Sequence, residues 1–456
     1  MVLLFIASLG VLLITLYIHR DWSHPVVLMF GVWTFILLLY LLQIVRVIPP
    51  TIEIIAVLSV MLFGFLLGVL CYSVVHAVKM RRAERRFAIR GNILTTRMNI
   101  SSSKLNRVSS DKKLREALFF VFCIVSIAVM FVDQIKVIQS VIGGASFSDI
   151  IRDAGGADTV EISGTIRVGL YIFVVHPMTA CVSPVCAIEI LTRDKGRLKY
   201  LIINFIVVFL AVFHHGGRNA IIVMGICYLV SYAVLRKERI NISRKIKVAF
   251  GAGMVLASVI VFSLSSSRGI QDIWLSFYAY FIADIPLGQQ YLAVSHFLIE
   301  PTLGFFSLKG LFYPLFSVLQ FFGIQAPELY NMASTMGSYI ETNILSIGDY
   351  TMGLNAFIPA GAYPYIDGGY VFEFIFMFLY GFVSNYLYCD QKEARGKKKA
   401  IYVMWAYGLI LSFCRLYFTS YSYFIGLLWM VFVLYGIRKD NPSPFSADVL
   451  RKEEKR

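Results

Sequence analysis

The chain has 456 residues, 58% of them apolar, with a mean hydropathy of +0.73 and a net charge of +15. A composition this apolar excludes a soluble globular domain. The basic balance would suit nucleic acid, but Lys and Arg gather in short loops beside apolar runs, as in cytoplasmic loops facing anionic lipid. The seven cysteines lie in or at the ends of apolar runs, so there is no disulfide framework and no zinc spacing.

Apolar runs of ~20 residues, the length needed to cross ~30 Å of hydrocarbon, recur along most of the chain. Backbone groups in hydrocarbon must bond internally, so these runs predict helices. The fold class expected is an all-α polytopic membrane protein with about 11 transmembrane helices. The spans fall near 2–18, 26–44, 54–76, 117–138, 166–190, 200–213, 220–235, 248–264, 370–388, 400–418 and 423–437. Residues 1–18 lack a positive leading region and a small-residue cleavage site, and read as a retained first span.

Orientation follows from charge. Lys79–Glu116 carries twelve Lys/Arg against three acids, within a basic cytoplasmic arm at 77–116. Counting spans outward from it, Arg193–Lys199, Arg236–Lys247, Asp390–Lys399 and the tail also fall inside. Ser140–Thr165, with Arg152 against four acids, falls outside with the long stretch 265–369. These loops agree on one threading, with the N-terminus out and the C-terminus in. The chain therefore divides into spans one to eight (1–264), a large extracytoplasmic loop (265–369), and three closing spans with a cytoplasmic tail (370–456). Within the loop, 274–298 and 305–324 are apolar, but Asp284 and Pro286 interrupt the first and Pro301 and Pro314 break up the region after it, a pattern of interfacial or re-entrant helices. No internal repeat is evident, which weighs against an inverted-repeat transporter.

Polar groups gather at the outer mouth. His214-His215-Gly216-Gly217-Arg218-Asn219 sits between two short spans. One reading is a tight turn with Arg218 anchored at headgroups; the other gives Arg218 a substrate phosphate, for which its fork of donors is suited. Arg268 follows span eight on the same face, open to the same two readings. Arg415, near the outer end of span ten, is a third candidate, because an intramembrane arginine is costly unless paired or lining a cavity. Glu373 is its expected structural partner. In the loop, Gln289, Gln290, Tyr291 and His296 offer polar groups beside an aromatic surface suited to a sugar. His296 is the first candidate for general base, ahead of His215 and Asp367. Asp349 and Tyr365 are sugar-binding candidates, with turn-capping the alternative for Asp349 and Asp367. His176-Pro177 reads as a kink or a packing site. No nucleotide-binding or metal motif is present, so no cofactor is expected.

Three segments carry a resemblance: Gly217-Arg218 at an outer turn, Arg268-Gly269 opening the long loop, and Gly348-Asp349-Tyr350…Asp367-Gly368-Gly369-Tyr370 closing it. With this topology the chain resembles the Wzy-type O-antigen and capsular oligosaccharide repeat-unit polymerases. The topology match covers nearly the whole chain, and the motifs about 40 residues. The resemblance implies a metal-independent, inverting, C-type membrane glycosyltransferase in the bacterial cytoplasmic membrane, active at its outer face. Its substrate would be an undecaprenyl-diphosphate-linked oligosaccharide, with Arg218, Arg268 and Arg415 on the diphosphate. Candidate partners are the bilayer and a chain-length regulator, and no nucleic acid is expected. A related ligase and a flippase or exporter of lipid-linked sugars are the alternatives.

Overall fold

The computed structural model describes residues 1–94, 113–142, 165–193, 195–215, 219–236, 273–349, 353–392 and 396–436, with 248, 251 and 253. Among them the chain is mostly helical: α1 Val2–His19, α2 Pro25–Leu42, α3 Ile52–Leu94, α4 Glu116–Ile142, α5 Thr165–Leu170, a π turn Tyr171–Val175, α6 His176–Thr192, α7 Arg197–His215 and α8 Asn219–Leu235. Then follow α9 Ile273–Ile282, α10 Asp284–Leu298, α11 Lys309–Phe321, α12 Glu328–Thr342, α13 Ala362–Lys392, α14 Lys397–Ile410 and α15 Tyr421–Leu428, which runs into a π turn at Trp429–Val433. The one sheet among the described residues is a two-residue antiparallel clamp, β1 Lys113–Leu114 against β2 Tyr435–Gly436.

Among the described residues, five helices are long and apolar enough to cross a membrane: Val2–His19, Pro25–Leu42, Ile52–Arg82, Val168–Thr192 and Ala362–Lys392. Their outward faces expose large apolar side chains such as Leu3, Ile14, Phe63, Val74, Val371 and Ile375. A surface of that kind fits a hydrocarbon solvent rather than water. Expected span 248–264 lies outside the described residues apart from 248, 251 and 253. The end of the bundle where α3 and α13 begin is its upper end, and the end where α14 begins its lower end.

The pair α3–α13 is the spine. Gly64 and Gly68 stand four apart on one face of α3, and Gly381 answers them on α13. A β-carbon at Gly68 would lie 2.8 Å from the Phe382 nitrogen and closer still to the Phe378 carbonyl oxygen; one at Gly381 would press on the Phe65 backbone. Small residues at that spacing let two helices touch backbone to backbone. Asn385 on α13 then donates to Val69 O at 2.9 Å and to Ser73 Oγ at 2.8 Å across the same seam. Near its start α13 bends at Gly368–Gly369, where Gly369 takes φ +71°.

The expected single span 400–418 is corrected. The helix stops at Ile410, and 411–416 runs non-helically to the short helical turn Tyr417–Thr419 before α15 heads down again. The freed carbonyls find partners on a second irregular segment: Ile358 N donates to Cys414 O at 3.1 Å and Ala360 N to Ser412 O at 2.8 Å. Non-helical backbone at depth is tolerated where protein buries it in this way. Ser412 Oγ accepts from Trp33 Nε1 at 3.0 Å, and Trp33 sits halfway along α2. The 14-residue α14 and the 8-residue α15 with its π turn thus form a hairpin rooted at the lower end, its tip inside the bundle. Over that tip lies α11, with Tyr313 stacked on Tyr421 at 4.8 Å. His176 also bonds and stacks on Tyr421, the packing role expected for it.

Candidate functional site

The hairpin tip makes the floor of a small cleft. Arg415 and Thr419 line it from below, Phe306 and Tyr363 from the sides, and Lys309, Gly337, Ile340 and Glu341 from α11 and α12, around about 30 Å³ of free volume. Arg415 is partly buried. The cleft places two cationic side chains and one acidic one around a tyrosine, a composition suited to an anion with hydroxyl groups beside it. Beside the tip, Tyr417 and the Asn219 amide bond at 3.4 Å. Asn219 follows Arg218 directly in the chain.

The arrangement differs from the expected pair of Arg415 and Glu373. Glu373 is fully buried, neither of its oxygens has a hydrogen-bond partner among the described residues, and it lies against Gly361. The carboxylate that shares the cleft with Arg415 is Glu341, on α12. Asp284, at the start of α10, is likewise fully buried, with both oxygens unpartnered among the described residues.

A second group stands at the upper end, where α3 begins, α10 ends and α13 begins. His296 Nε2 lies 2.8 Å from Glu53 Oε1, and Tyr365 Oη donates to the same oxygen at 2.7 Å. Tyr370 packs on Tyr365 with ring centres 4.7 Å apart. The His296 side chain is 53% exposed, which leaves it reachable from outside. Sequence reasoning singled out His296 and Tyr365 separately but missed Glu53, 243 residues from His296 in the chain. The available signal was an acid in the first turn of a long apolar helix, behind Pro49-Pro50.

The remaining candidates brace the fold. Asp367 is fully buried; its carboxylate accepts from Thr302 Oγ1, from Phe306 N at 3.0 Å and from Ser307 N at 2.8 Å. Its carbonyl accepts from Leu303 N at 3.0 Å, so it fixes the turn leading into α11. Gln290 Nε2 donates to Pro286 O and to Ser346 O, both at 2.9 Å, tying α10 to the segment that follows α12. Gln289 bonds the backbone of Pro49 and Thr51. Tyr291 is fully buried, with its hydroxyl on Ile340 O at 3.2 Å. Gln290 and Tyr291, expected on the sugar, are thus engaged with backbone carbonyls of the fold. Asp349 is exposed, its amide on Arg46 O at 3.0 Å. Arg218 and Arg268 lie outside the described residues, as does the side chain of His215.

Fold and site together define a helical protein of membrane-spanning character, with a cationic cleft roofed by a long connection and an acid–histidine pair at its upper end. No family model, no curated protein and no solved structure matches this chain.

Proposed function

We propose that the protein polymerises lipid-linked oligosaccharide repeat units, moving a growing glycan from undecaprenyl diphosphate to the next lipid-linked unit. The observation that carries this reading is the cleft with Arg415 and Lys309 facing one space between the hairpin tip and helices α11 and α12. A diphosphate is a leaving group whose developing charge needs positioned cations, usually the largest single contribution to lowering a barrier of this kind. Arg415 serves it here, with Arg218 and Arg268 as further ligands, and His296 accepts the proton of the attacking hydroxyl. The threading expected from charge accompanies this reading, with the α14–α15 hairpin in place of spans ten and eleven, both its ends on the inner side and the upper end outside the cytoplasmic membrane. Cysteines at Ser338 and Lys398 should accordingly label from opposite sides. The face of α11 with Leu311, Leu315 and Val318, continued by Phe322 just past its end, all exposed and at helical spacing, suits a helix lying in the outer interface.

A lipid diphosphate sugar is already activated, so catalysis needs only positioning and charge stabilisation. Purified protein given lipid-linked repeat units should build a ladder of oligomers without nucleotide sugar, ATP, ion gradient or added metal. A flippase is the second reading. It is favoured by Asp284 and Glu373, two buried carboxylates beside the irregular 358–361 and 412–414 backbone, the kind of site at which transporters bind protons or cations. No ladder, with transbilayer movement of the same lipid in vesicles, would favour it.

A further inference from the structure

The acid–histidine pair at the upper end has a defined polarity. A carboxylate only accepts, and Oε1 of Glu53 already accepts the Tyr365 hydroxyl at 2.7 Å. The 2.8 Å approach of His296 therefore has Nε2–H as donor. In the neutral ring this leaves Nδ1 bare, with its lone pair directed away from Glu53. Both partners are set by helix ends: Glu53 is in the first turn of α3 and His296 in the last turn of α10. A negative charge is favoured at the first position and a positive charge at the second. Among the described residues, the titratable group shown against the pair is Tyr365 on α13, which Tyr370 packs against in turn.

We infer that Glu53 is the positioning residue of the reaction: it fixes His296 in the Nε2–H tautomer and stabilises the imidazolium that forms when Nδ1 takes a proton. The inference rests on the polymerase reading with His296 as base. In the step, the acceptor sugar's hydroxyl oxygen bonds to the anomeric carbon of the donor glycan as its proton passes to Nδ1. The bond from that carbon to the diphosphate oxygen breaks, and the oxygen keeps the electron pair, so undecaprenyl diphosphate leaves as the anion. Water then takes the proton from Nδ1. Tyr365, on the same oxygen, holds the Glu53 carboxylate in line with the ring. The arrangement is that of a nucleophile-activating base oriented by a third group.

The test is a double-mutant cycle on full-length protein, with lipid-linked repeat units as substrate. Glu53→Gln keeps an acceptor oxygen but loses the charge, and should lower kcat about 10-fold with KM unchanged; Glu53→Ala should lower it about 100-fold. In a His296→Ala background, which is itself crippled, Glu53→Ala should cost nothing further. Equal losses in both backgrounds, or a change carried in KM, would make Glu53 a structural brace and overturn the inference. A second measurement does not need activity: ¹⁵N spectra of labelled histidine should show His296, assigned by its loss in His296→Ala, as the Nε2–H tautomer, and that preference should vanish in Glu53→Ala. A ladder-negative wild type with the tautomer fixed by Glu53 would sink the polymerase reading and leave the positioning intact. An active wild type with a mixed tautomer would do the reverse.

Discussion

Replacing Gly68 by alanine should destabilise the protein more than the same change at Gly64, one turn away. At Gly64 the new methyl meets Phe374 O at 3.1 Å, a contact that a few tenths of an ångström relieves. At Gly68 it meets three backbone atoms of α13, among them Phe382 N at 2.8 Å and Phe378 C at 2.9 Å, and backbone cannot swing aside. The helices must part by about 1 Å, an overpacking cost near ~3 kcal/mol. The better helix propensity of alanine returns ~1 kcal/mol. Parting also stretches the two Asn385 bonds, at ~0.6 kcal/mol each in a membrane setting. The net is a loss of about 3 kcal/mol for Gly68→Ala, against less than about 1 kcal/mol for Gly64→Ala. Unfolding in mixed detergent, followed by fluorescence, measures both. Because α3 carries Glu53 and α13 carries Tyr365, activity should fall as well, although Gly68 is 15 residues, ~22 Å of helix, from Glu53. Equal stability of the two variants would refute the reasoning.

Arg415→Ala should lower polymerisation by about 30- to 1000-fold, ~2–4 kcal/mol of lost charge stabilisation. Arg415→Lys should fail nearly as badly, because an ammonium cannot supply the fork; chain-length distributions on the acceptor lipid report it. Asp367→Ala strands three buried donors and should lose about 2–4 kcal/mol of stability. A folded but wholly inactive Asp367→Asn protein would return Asp367 to the role of base. At the lower end, Glu116 is bonded by Lys199 at 2.6 Å and by Arg193, which hold its carboxyl down to about 2. A depressed carboxyl stabilises the fold above its unfolded value near ~4.3 and loses that effect as pH falls towards 2. The difference in Tm between wild type and Glu116→Gln should therefore be constant above about pH 5 and shrink steadily below it. The same gap at pH 6 and pH 3 would contradict this account.

Helix content and the position of the long spans were legible because hydrocarbon demands long apolar runs, and runs of that length leave little ambiguity. The seam between α3 and α13 was legible in principle, since Gly64 and Gly68 stand at the close-packing spacing. Without knowing that α13 is the partner, though, two glycines in an apolar helix say nothing of what they touch. The break at 411–416 was hidden by composition: Leu411, Phe413 and Leu416 continue the apolar pattern, and the helix ends where it does because Ile358 and Ala360 offer amides in its place. Glu53 escaped for a related reason. An acid one turn into a helix is ordinary, and its meaning comes from His296 and Tyr365, which three-dimensional folding alone brings to the same oxygen. Asp367 shows the converse: a conspicuous acid in a glycine-rich turn invites a chemical role, while the structure fills both its oxygens with donors.

The hairpin of α14 and α15 is a cantilever. Its root is clamped, since Arg115 N bonds Leu434 O at 2.8 Å beside the β1–β2 pair, and Lys397 Nζ bonds Val431 O. Its free end, with Arg415, is steadied by two backbone bonds and the Trp33 indole. An arm of 14 residues is ~21 Å long, so a tilt of ~3° at the root carries the tip ~1 Å. Displacement on that scale is enough to spoil the alignment of reacting groups. Substitutions around Lys397 or the β clamp, remote from any substrate, would therefore register at the cleft as errors of aim.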